Sequence, residues 1–316
     1  MEVIRYCASS EDTWDDFIQD CPMSTFLHSR RFLSYHGDRF DDYSLLFVNQ
    51  DALLGVLPAA ASSENAVESH PGATFGGIVH NGALAGDKMT EAINHAAAYY
   101  KKEGFSSFIY KPPSACYRRR PCDDDIYALC AAGASLTECK LSSVINLADR
   151  GEVSYARRKG RKKAEKAGLT MHCGADCIHE IWNLVEDNLS LRHDTKPVHS
   201  LAEIEMLARM FPDNIKFHVG RLEGEIVCCG VMFLSPTVWH AQYVHANETG
   251  RKICALDLFY EHLIAQATSE EVRYFSFGVS NRPRTEGGGL NAGLYAAKRQ
   301  FGGGGEANWT FTLQLG

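Results

Sequence analysis

A predicted strand over residues 239–246 carries side chains that can hold or move a proton. Side chains alternate between the two faces of a strand, so Tyr243 and His245 share one face with Ala241, and His240 lies on the other. A phenol and an imidazole on one face are suited to general acid–base chemistry. We expect Tyr243 or His245 to relay a proton at an active site, and the alternative for each is a structural role.

The segment after this strand is suited to binding a phosphate group. Residues 249–256 read Thr-Gly-Arg-Lys-Ile-Cys-Ala-Leu and begin a predicted helix. The N-terminus of a helix presents free N–H groups and a partial positive charge to phosphate oxygens. The candidate cofactor-binding residues of this segment are Gly250, Arg251, Lys252, Cys254 and Ala255.

A glycine-rich loop over residues 281–291 and the helix after it add further candidates. Glu286 is a candidate general base or an anchor for an acceptor amine, and the alternative is a solvated loop residue. Asn291 is a candidate cofactor contact and an equally good N-cap for the next helix. In that helix, Lys298 can stabilise a developing negative charge or bind phosphate, unless it pairs with a carboxylate. Asn281 is a candidate substrate contact.

Residues 157–166 are strongly basic, because seven of these ten side chains are Lys or Arg. One interpretation is a solvated connecting helix. The other is a patch that neutralises an anionic donor or acceptor. The net charge of the whole chain is −7, so a patch this dense is unusual here, and both interpretations stay open.

Residues 172–179 bring two histidines and two cysteines together in the sequence. These side chains are typical zinc ligands, but no second Cys or His pair with metal-ligand spacing occurs elsewhere in the sequence. The same segment fits the end of a strand followed by a helix cap at Asp176. We therefore predict no metal site.

Composition narrows the class of protein. The 316 residues are 45% hydrophobic and 22% charged, which is typical of a chain that folds around a sizeable core. The chain shows no continuous apolar run of about 18 residues or more, and its first residues lack the basic-then-apolar layout of a signal peptide. The eleven cysteines are odd in number and scattered, which indicates reduced thiols and a cytoplasmic protein.

Alternating helix and strand signals predict an α/β fold with a mixed sheet, built from two halves that repeat the same order of elements. In the first half, helices are predicted over residues 11–17, 29–35, 86–102 and 123–133, and strands over 43–48, 52–60, 73–80, 105–110 and 142–147. In the second half, helices are predicted over 176–191, 201–211, 255–267 and 290–300, and strands over 216–220, 225–234, 239–246, 273–278 and 308–315. The predicted domains are residues 1–150 and 169–316, joined by a basic linker helix over 151–168.

Two sets of residues carry a resemblance to a known family. The hairpin, strand and segment 249–256 resemble the core of GNAT-fold acyltransferases, in which a Gln/Arg-x-x-Gly-x-Gly/Ala loop wraps the coenzyme A pyrophosphate. Arg251 matches the first position, whereas Cys254 replaces the first glycine and Leu256 the second small residue.

The C-terminal stretch Phe277-Gly278, Asn291-Ala-Gly-Leu and Lys298-Arg-Gln-Phe-Gly resembles the ending of Fem-like proteins. These are double GNAT-fold transferases that include peptidoglycan aminoacyl ligases and bacterial acyltransferases of polysaccharide gene clusters. The resemblance covers nearly the whole chain and implies tandem GNAT-like domains. We expect the first of these to be catalytically silent, because no comparable Gly-Arg loop follows its third strand.

The resemblance also implies roles for individual residues. A backbone N–H of the strand over 239–246 contacts the thioester oxygen, and Tyr243, His245, Glu286 and Lys298 are the candidate catalytic groups. Acceptor contacts fall on Arg192 and His193, between two helices. His36 and His70 of the first half join them only if both domains share one cleft.

The resemblance implies an N-acyltransferase that moves an acyl group from acetyl-coenzyme A or another acyl-coenzyme A to an amine. The acceptor is a sugar or another small molecule, in cell-envelope polysaccharide synthesis. The long helical arm of the tRNA-dependent ligases has no counterpart in the sequence, which favours the thioester donor. Two alternatives remain: an aminoacyl-tRNA-dependent ligase whose basic linker receives tRNA phosphates, and a non-catalytic ligand-binding protein. Oligomeric state stays open, with a homodimer as one possibility.

Overall fold

The computed structural model describes residues 1–62, 65–193, 197–283 and 287–316. The chain divides into two compact units, Met1–Lys140 with Ala307–Gly316, and Leu141–Glu306. Within the described residues, no helix is long and apolar enough to cross a membrane.

The described residues of the first unit form one four-stranded sheet, three strands of a ten-stranded sheet and four α-helices. Its helices are α1 (Glu11–Gln19), α2 (Arg30–Leu33), α3 (Asp87–Lys102) and α4 (Asp124–Ala131). Its strands are β1 (Glu2–Arg5), β2 (Leu45–Asn49), β3 (Ala52–Leu57), β4 (Ala60–Ala61), β5 (Ala66–Glu68), β6 (Val79–His80) and β7 (Ser107–Tyr110). One sheet has the order β1-β2-β3-β6, and β4, β5 and β7 are neighbours in the other.

The second unit is built on one mixed sheet. Its helices are α5 (Tyr155–Lys166), α6 (Ile178–His193), α7 (Leu201–Met210), α8 (Glu248–Lys252), α9 (Ala255–Ser269) and α10 (Ala292–Arg299). Its strands are β8 (Ser135–Asn146), β9 (Thr170–Cys173), β10 (Ile215–Leu222), β11 (Glu225–Leu234), β12 (Val238–Ala246), β13 (Tyr274–Val279) and β14 (Gly304–Gln314), of which β8 and β14 extend into the first unit. The strand order is β8-β13-β12-β11-β10-β9.

The core of the second unit lies between this sheet and α9. Phe259 and Leu263 of α9 are fully buried in one cluster with Trp239 of β12 and Phe275 of β13. Burying large apolar side chains of this kind stabilises a fold by about 1.5–3 kcal/mol each. The packing holds β12, β13 and α9 in fixed relative positions, which matters because the candidate site is built from their ends.

Both halves follow the predicted order of hairpin, strand, helix and strand, and the tandem mixed α/β fold is confirmed. In the second unit β10 and β11 form an antiparallel hairpin, and β12 adds to β11. In the first unit β2 and β3 form the hairpin, and β6 adds to β3. The two residues of β6 are much shorter than the strand predicted over 73–80, because residues 73–78 have no strand pairing.

The predicted domain boundaries differ from the two units. Helix α5 lies within the predicted linker, but it belongs to the second unit because Gly160 and Ala164 pack it against α9. The C-terminal strand was predicted in the second domain, yet Phe311–Gln314 of β14 pair with β7. Helix packing and strand pairing between segments far apart in sequence leave no local signal, and this explains both differences.

The packing of α8 on β11 generates the first prediction, because a Cβ at Gly250 would lie 2.2 Å from the carbonyl oxygen of Val227. We expect Gly250→Ala to lower the free energy of unfolding by about 1–3 kcal/mol, since backbone on both sides must move. Urea denaturation measures this difference. The matched control is Gly293→Ala in α10, where a Cβ would meet only Asn291 Oδ1 at 3.7 Å. Equal stability of the two variants would contradict the prediction.

Candidate active site

The candidate site lies where two parallel strands separate. β12 and β13 pair only over Val238–His240 and Tyr274–Ser276. Beyond this point β13 stays paired with β8, as Val279 lies opposite Ser142, while β12 stays paired with β11 as far as Ala246. Among the described residues, no strand pairs with residues 241–246 of β12 on the β13 side, which leaves part of the backbone at this edge available to a ligand.

A β-bulge in β12 changes which side chains share a face. Tyr243 lies opposite Val231, but Ala241 lies opposite Met232, so Gln242 is an extra residue. The bulge breaks the alternation on which the sequence prediction relied. Ala241 packs in the cluster under α9, whereas Tyr243 contacts α6 on the other face, so the predicted common face of these two residues is wrong.

Tyr243 is held in a buried pair with a histidine. Its hydroxyl lies 2.8 Å from Nδ1 of His199, and its ring packs edge-on against Trp182 at 5.3 Å between centroids. Burial raises the pKa of Tyr243 above its usual value. The phenol is therefore protonated at neutral pH and suited to act as an acid rather than a base.

His245 is oriented by Asn188 of α6. The Asn188 amide donates through Nδ2 to the carbonyl oxygen of Ala246 at 3.1 Å, which leaves Oδ1 as the acceptor that faces His245 Nδ1 at 3.2 Å. His245 Nδ1 therefore carries the proton, and Nε2 is the basic nitrogen in the neutral ring. An imidazole held in one tautomer in this way is prepared to accept a proton.

Lys298 lies on the β13 side of the separation. Its ammonium donates to the carbonyl oxygens of Gly278 at 3.1 Å and Val279 at 2.8 Å. Burial lowers the pKa of Lys298 to about 8. His240 lies nearby, with Nδ1 3.2 Å from Ser276 Oγ, and burial together with the Lys298 charge lowers the pKa of His240 to about 4. His240 is therefore neutral at pH 7, and Lys298 is the positive charge of this corner.

The segment predicted to bind phosphate folds as the short helix α8 followed by the start of α9, rather than as the start of one helix. Asn247 caps α8, and its side chain accepts from the N–H of Gly250 at 2.9 Å, so that N–H is already occupied. Arg251 donates through Nη1 to the carbonyl oxygen of Ala246, and its side chain is exposed. The exposed ammonium of Lys252 pairs with Glu248 at 2.7 Å. Arg251 and Lys252 thus place positive charge beside the start of α9.

Cys254 stands at the N-cap of α9 in a left-handed conformation, with φ 60° and ψ 40°. Its side chain makes no capping hydrogen bond. Left-handed backbone favours glycine, so the position has the conformation of the glycine that the family pattern places there. No side chain of the described residues caps the N-terminus of α9, and Ala255, its first residue, is fully buried.

Helix α5 packs against this N-terminus. Arg157 pairs with Asp257 of α9 at 2.6 Å, and Lys163 Nζ donates to the carbonyl oxygen of Lys252 at 2.6 Å. A Cβ at Gly160 would lie 3.2 Å from Cys254 Cβ and 1.7 Å from Asp257 Oδ2, so only glycine allows this approach. The basic segment is therefore attached directly to the segment predicted to bind phosphate.

The other candidates of the second unit divide by what their side chains contact. Asn281 Oδ1 accepts from the N–H of Leu141 at 2.7 Å, and Asn291 Oδ1 caps α10 by accepting from Leu294 at 3.1 Å. Both have structural partners, and their ligand contacts stay predictions. Glu286 lies outside the described residues, as do the side chains of Arg192 and His193.

The two histidines of the first unit lie together, with 6.1 Å between ring centroids. His36 and His70 line a cavity of about 110 Å³ with Arg30 and Asp42. His70 Nε2 lies 2.6 Å from the carbonyl oxygen of Leu27 and is therefore the protonated nitrogen. Burial lowers the pKa of His70 to about 3, so the ring is neutral. A substrate role for His36 and His70 stays a prediction.

The cysteine and histidine segment brings His172, Asp176 and Cys177 within 4.8 Å of one another. Arg221 donates to the sulfur of Cys177 at 3.5 Å, and a guanidinium at this position opposes a bound cation. His179 instead pairs with Glu205 at 3.0 Å.

The sequence interpretation missed two residues that contact the candidate catalytic groups. His199 precedes the N-cap of α7, and Asn188 lies within α6. Neither belongs to a motif, and both reach β12 from elements distant in sequence. The only local signal was His199 beside Ser200, whose capping box with Glu203 marks the start of α7.

The conformation of Cys254 generates the second prediction. We expect Cys254→Gly to raise the free energy of unfolding by about 0.5–1 kcal/mol, because glycine adopts left-handed backbone without a Cβ clash. Cys254→Ala is the matched control, since alanine removes the sulfur but keeps the Cβ. Thermal unfolding compares the three proteins. A gain that is equal in both variants would mean that the sulfur, not the backbone conformation, is unfavourable.

Comparison with protein families matches residues 150–284 to a model described as an acetyltransferase (GNAT) domain. This range includes α5, β12, α8, α9 and β13, and therefore most of the candidate site. A search of curated protein sequences found no match.

Solved structures share the fold of the whole chain at low sequence identity. The crystal structure of FemX superposes with a TM-score of 0.70 at 10% identity, over 99% of this chain and 97% of FemX. L-PGS from Bacillus licheniformis gives 0.66 at 12%, over 95% and 90%. A tandem GNAT protein from the clavulanic acid biosynthesis pathway gives 0.57 at 11%, over 100% and 98%. Residues 150–284 are therefore a GNAT acetyltransferase domain, and the whole chain has the tandem GNAT fold of these solved structures.

Proposed function

We propose that the protein is an N-acyltransferase that uses an acyl-coenzyme A thioester and acylates an amino group on a sugar or another small acceptor. The observation that carries the proposal is the N-terminus of α9, whose N-cap residue makes no side-chain capping bond and which follows, after the short helix α8, the strand that separates from β13. A strand edge with open polar groups and a helix N-terminus beside it suit an extended ligand that ends in phosphate.

The segment after β12 is suited to the coenzyme A pyrophosphate. The N–H groups at the start of α9 and the charges of Arg251 and Lys252 are the anion-binding groups. The left-handed backbone of Cys254 supports this role, because it gives the turn the shape that a glycine would give. Gly250 acts through packing, since its N–H is used by Asn247. The candidate contact of Ala255 is then its backbone N–H.

The proposed reaction needs one group that removes a proton and one that supplies it. His245 Nε2 accepts a proton from the acceptor ammonium, and the free amine attacks the thioester carbon. The C–N bond forms, the attacking nitrogen releases its second proton to water, and the C–S bond breaks. Tyr243 gives its proton to the leaving thiolate, and His199 provides the route by which Tyr243 is protonated again. The products are an amide and coenzyme A thiol.

Lys298 is proposed to stabilise the negative charge that develops at the thioester during the transfer. Its ammonium is partly shielded from water, and charge interactions are stronger in such a setting than in bulk water. Its hydrogen bonds to the Gly278 and Val279 carbonyls hold it on the β13 side of the site.

The biosynthetic role of the acceptor and the cellular location of the protein are inferred from the C-terminal motif and from the cysteines. The Fem-like C-terminal motif supports an acceptor used in cell-envelope polysaccharide synthesis. A cytoplasmic location is supported by all eleven cysteines being free thiols in the structure. Neither the C-terminal motif nor the cysteines bears on the oligomeric state.

The donor is tested by ligand-dependent stability. We expect acetyl-coenzyme A or coenzyme A at about 100 times its dissociation constant to raise the free energy of unfolding by about 2.7 kcal/mol. Arg251→Ala should weaken the shift, whereas Arg209→Ala on α7 should leave it unchanged, as an exposed arginine outside the site. Bulk tRNA at two salt concentrations is measured in parallel. A salt-sensitive shift with tRNA and none with coenzyme A would replace this proposal with the tRNA-dependent ligase.

The role of Lys298 predicts a pH dependence of thiol release from acetyl-coenzyme A with a panel of amino sugars. The pKa of Lys298 is about 8, so its charge and the rate should both fall as the pH rises through 8. Lys298→Arg keeps the charge and should move that fall to higher pH. Lys298→Met should reduce kcat at least about 10²-fold below pH 8, the effect typical of losing one charge-stabilising group, and the difference from the wild type should narrow above pH 8 because Lys298 is then neutral. An unchanged profile in Lys298→Arg would contradict the role.

A further inference from the structure

One face of α5 presents an aromatic ring and three cations in a row. Tyr155, Lys159, Lys162 and Lys166 recur at helical spacing and so share a face. All four side chains are exposed, and Tyr155 is 73% exposed. Among the described residues, no carboxylate lies within ion-pair distance of these three lysines. We call this set the α5 stripe.

The opposite face of α5 is fixed to α9, and this sets the direction of the stripe. Gly160 and Ala164 are buried there, and Arg157 is held by Asp257 at 2.6 Å. Lys163 donates to the Lys252 carbonyl, at the end of α8. The stripe therefore faces solvent beside the proposed phosphate-binding segment, on a helix that is rigidly attached to it.

The charge of α5 contrasts with the rest of the chain. Residues 157–166 hold seven cations and one carboxylate, a net charge of +6, which leaves −13 for the remainder of a chain of net −7. Three of the cations are used within the unit: Arg157 with Asp257, Arg158 with Glu152 and Arg161 with Glu165. The lysines of the stripe are left for a partner of opposite charge.

The stripe is longer than coenzyme A requires. Helix α5 has twelve residues, which corresponds to about 18 Å. The proposed pyrophosphate position at α9 already uses Arg251 and Lys252, so only the 3′-phosphate of coenzyme A remains for α5. Three lysines in a row with an exposed tyrosine at one end instead resemble a protein-binding surface, where aromatic anchors and a charged margin are typical.

We propose that the α5 stripe docks a small acidic acyl carrier protein, whose phosphopantetheine arm delivers the acyl thioester to the site between β12 and β13. The inference rests on the proposed thioester function. The same reaction then applies: the amine forms the new C–N bond, the C–S bond breaks, and the thiol remains on the carrier's arm. The carrier shares the phosphopantetheine thioester with coenzyme A, and its acidic surface complements the stripe.

A carrier fits the surface better than a long nucleic acid does. Tight binding of nucleic acid usually draws on many phosphate contacts over an extended basic surface. Here the basic surface is one helix on a chain that is otherwise acidic. A compact acidic partner that covers only α5 is not repelled by the negative charges on the rest of the chain.

The test measures binding of a fluorescently labelled, acetyl-loaded bacterial acyl carrier protein by anisotropy at 50 and 300 mM salt. The variant carries Lys159→Glu, Lys162→Glu and Lys166→Glu. The control carries Lys88→Glu, Lys102→Glu and Arg120→Glu, an equal charge change on exposed residues of the first unit. We expect the dissociation constant to rise at least 10-fold in the stripe variant at 50 mM salt and to stay within 2-fold in the control. Tyr155→Ala should weaken binding at both salt concentrations.

Coenzyme A binding separates this inference from the function on which it rests. The stripe variant should keep the thermal shift with coenzyme A, and this also shows that it is folded. A coenzyme A shift without carrier binding would overturn the inference and leave the proposed function in place. Loss of the coenzyme A shift in a folded stripe variant would assign the lysines to coenzyme A and overturn the inference. Binding of tRNA alone would overturn both.

Discussion

The second unit depends on the short parallel pairing of β12 and β13. Only three residues of each strand pair with the other strand. Beyond them, β13 stays paired with β8 and β12 stays paired with β11. The separation gives β12 an open edge inside a sheet, where a strand would otherwise be saturated. An open edge of this kind is tolerated only where something else satisfies its polar groups, and this explains why the candidate catalytic groups and the uncapped start of α9 gather at the same place.

A second constraint is the close approach of α5 to α9. Gly160 allows the contact, and the Arg157–Asp257 pair holds it. The contact connects two features that the sequence interpretation treated separately, namely the basic segment and the segment predicted to bind phosphate. The buried N-terminus of α9 and the charged outer face of α5 thus belong to the same pair of packed helices. This arrangement gives the basic segment a position within the second unit.

Several elements could be predicted because their signals are local. β11 was predicted with its observed bounds, and α9 with its observed start, since hydrophobic periodicity and turn residues mark both. The candidate site was predicted less completely. Gly250 and Arg251 were predicted at the start of one helix, whereas they lie in the separate short helix α8, and the bulge at Gln242 reversed the expected relation between Ala241 and Tyr243. A bulge depends on the partner strand, so alternation along β12 alone could not show it.

The sequence by itself determined the order of the elements, the duplication, the basic segment and the family resemblance, because each is written in residue types and spacing along the chain. The tertiary structure alone decided that His199 meets Tyr243, that Asn188 orients His245, and that Lys298 contacts the β13 carbonyls. It also decided that the last strand pairs with β7. These contacts join residues 20 to 207 positions apart, and their formation depends on packing and strand pairing rather than on any local preference.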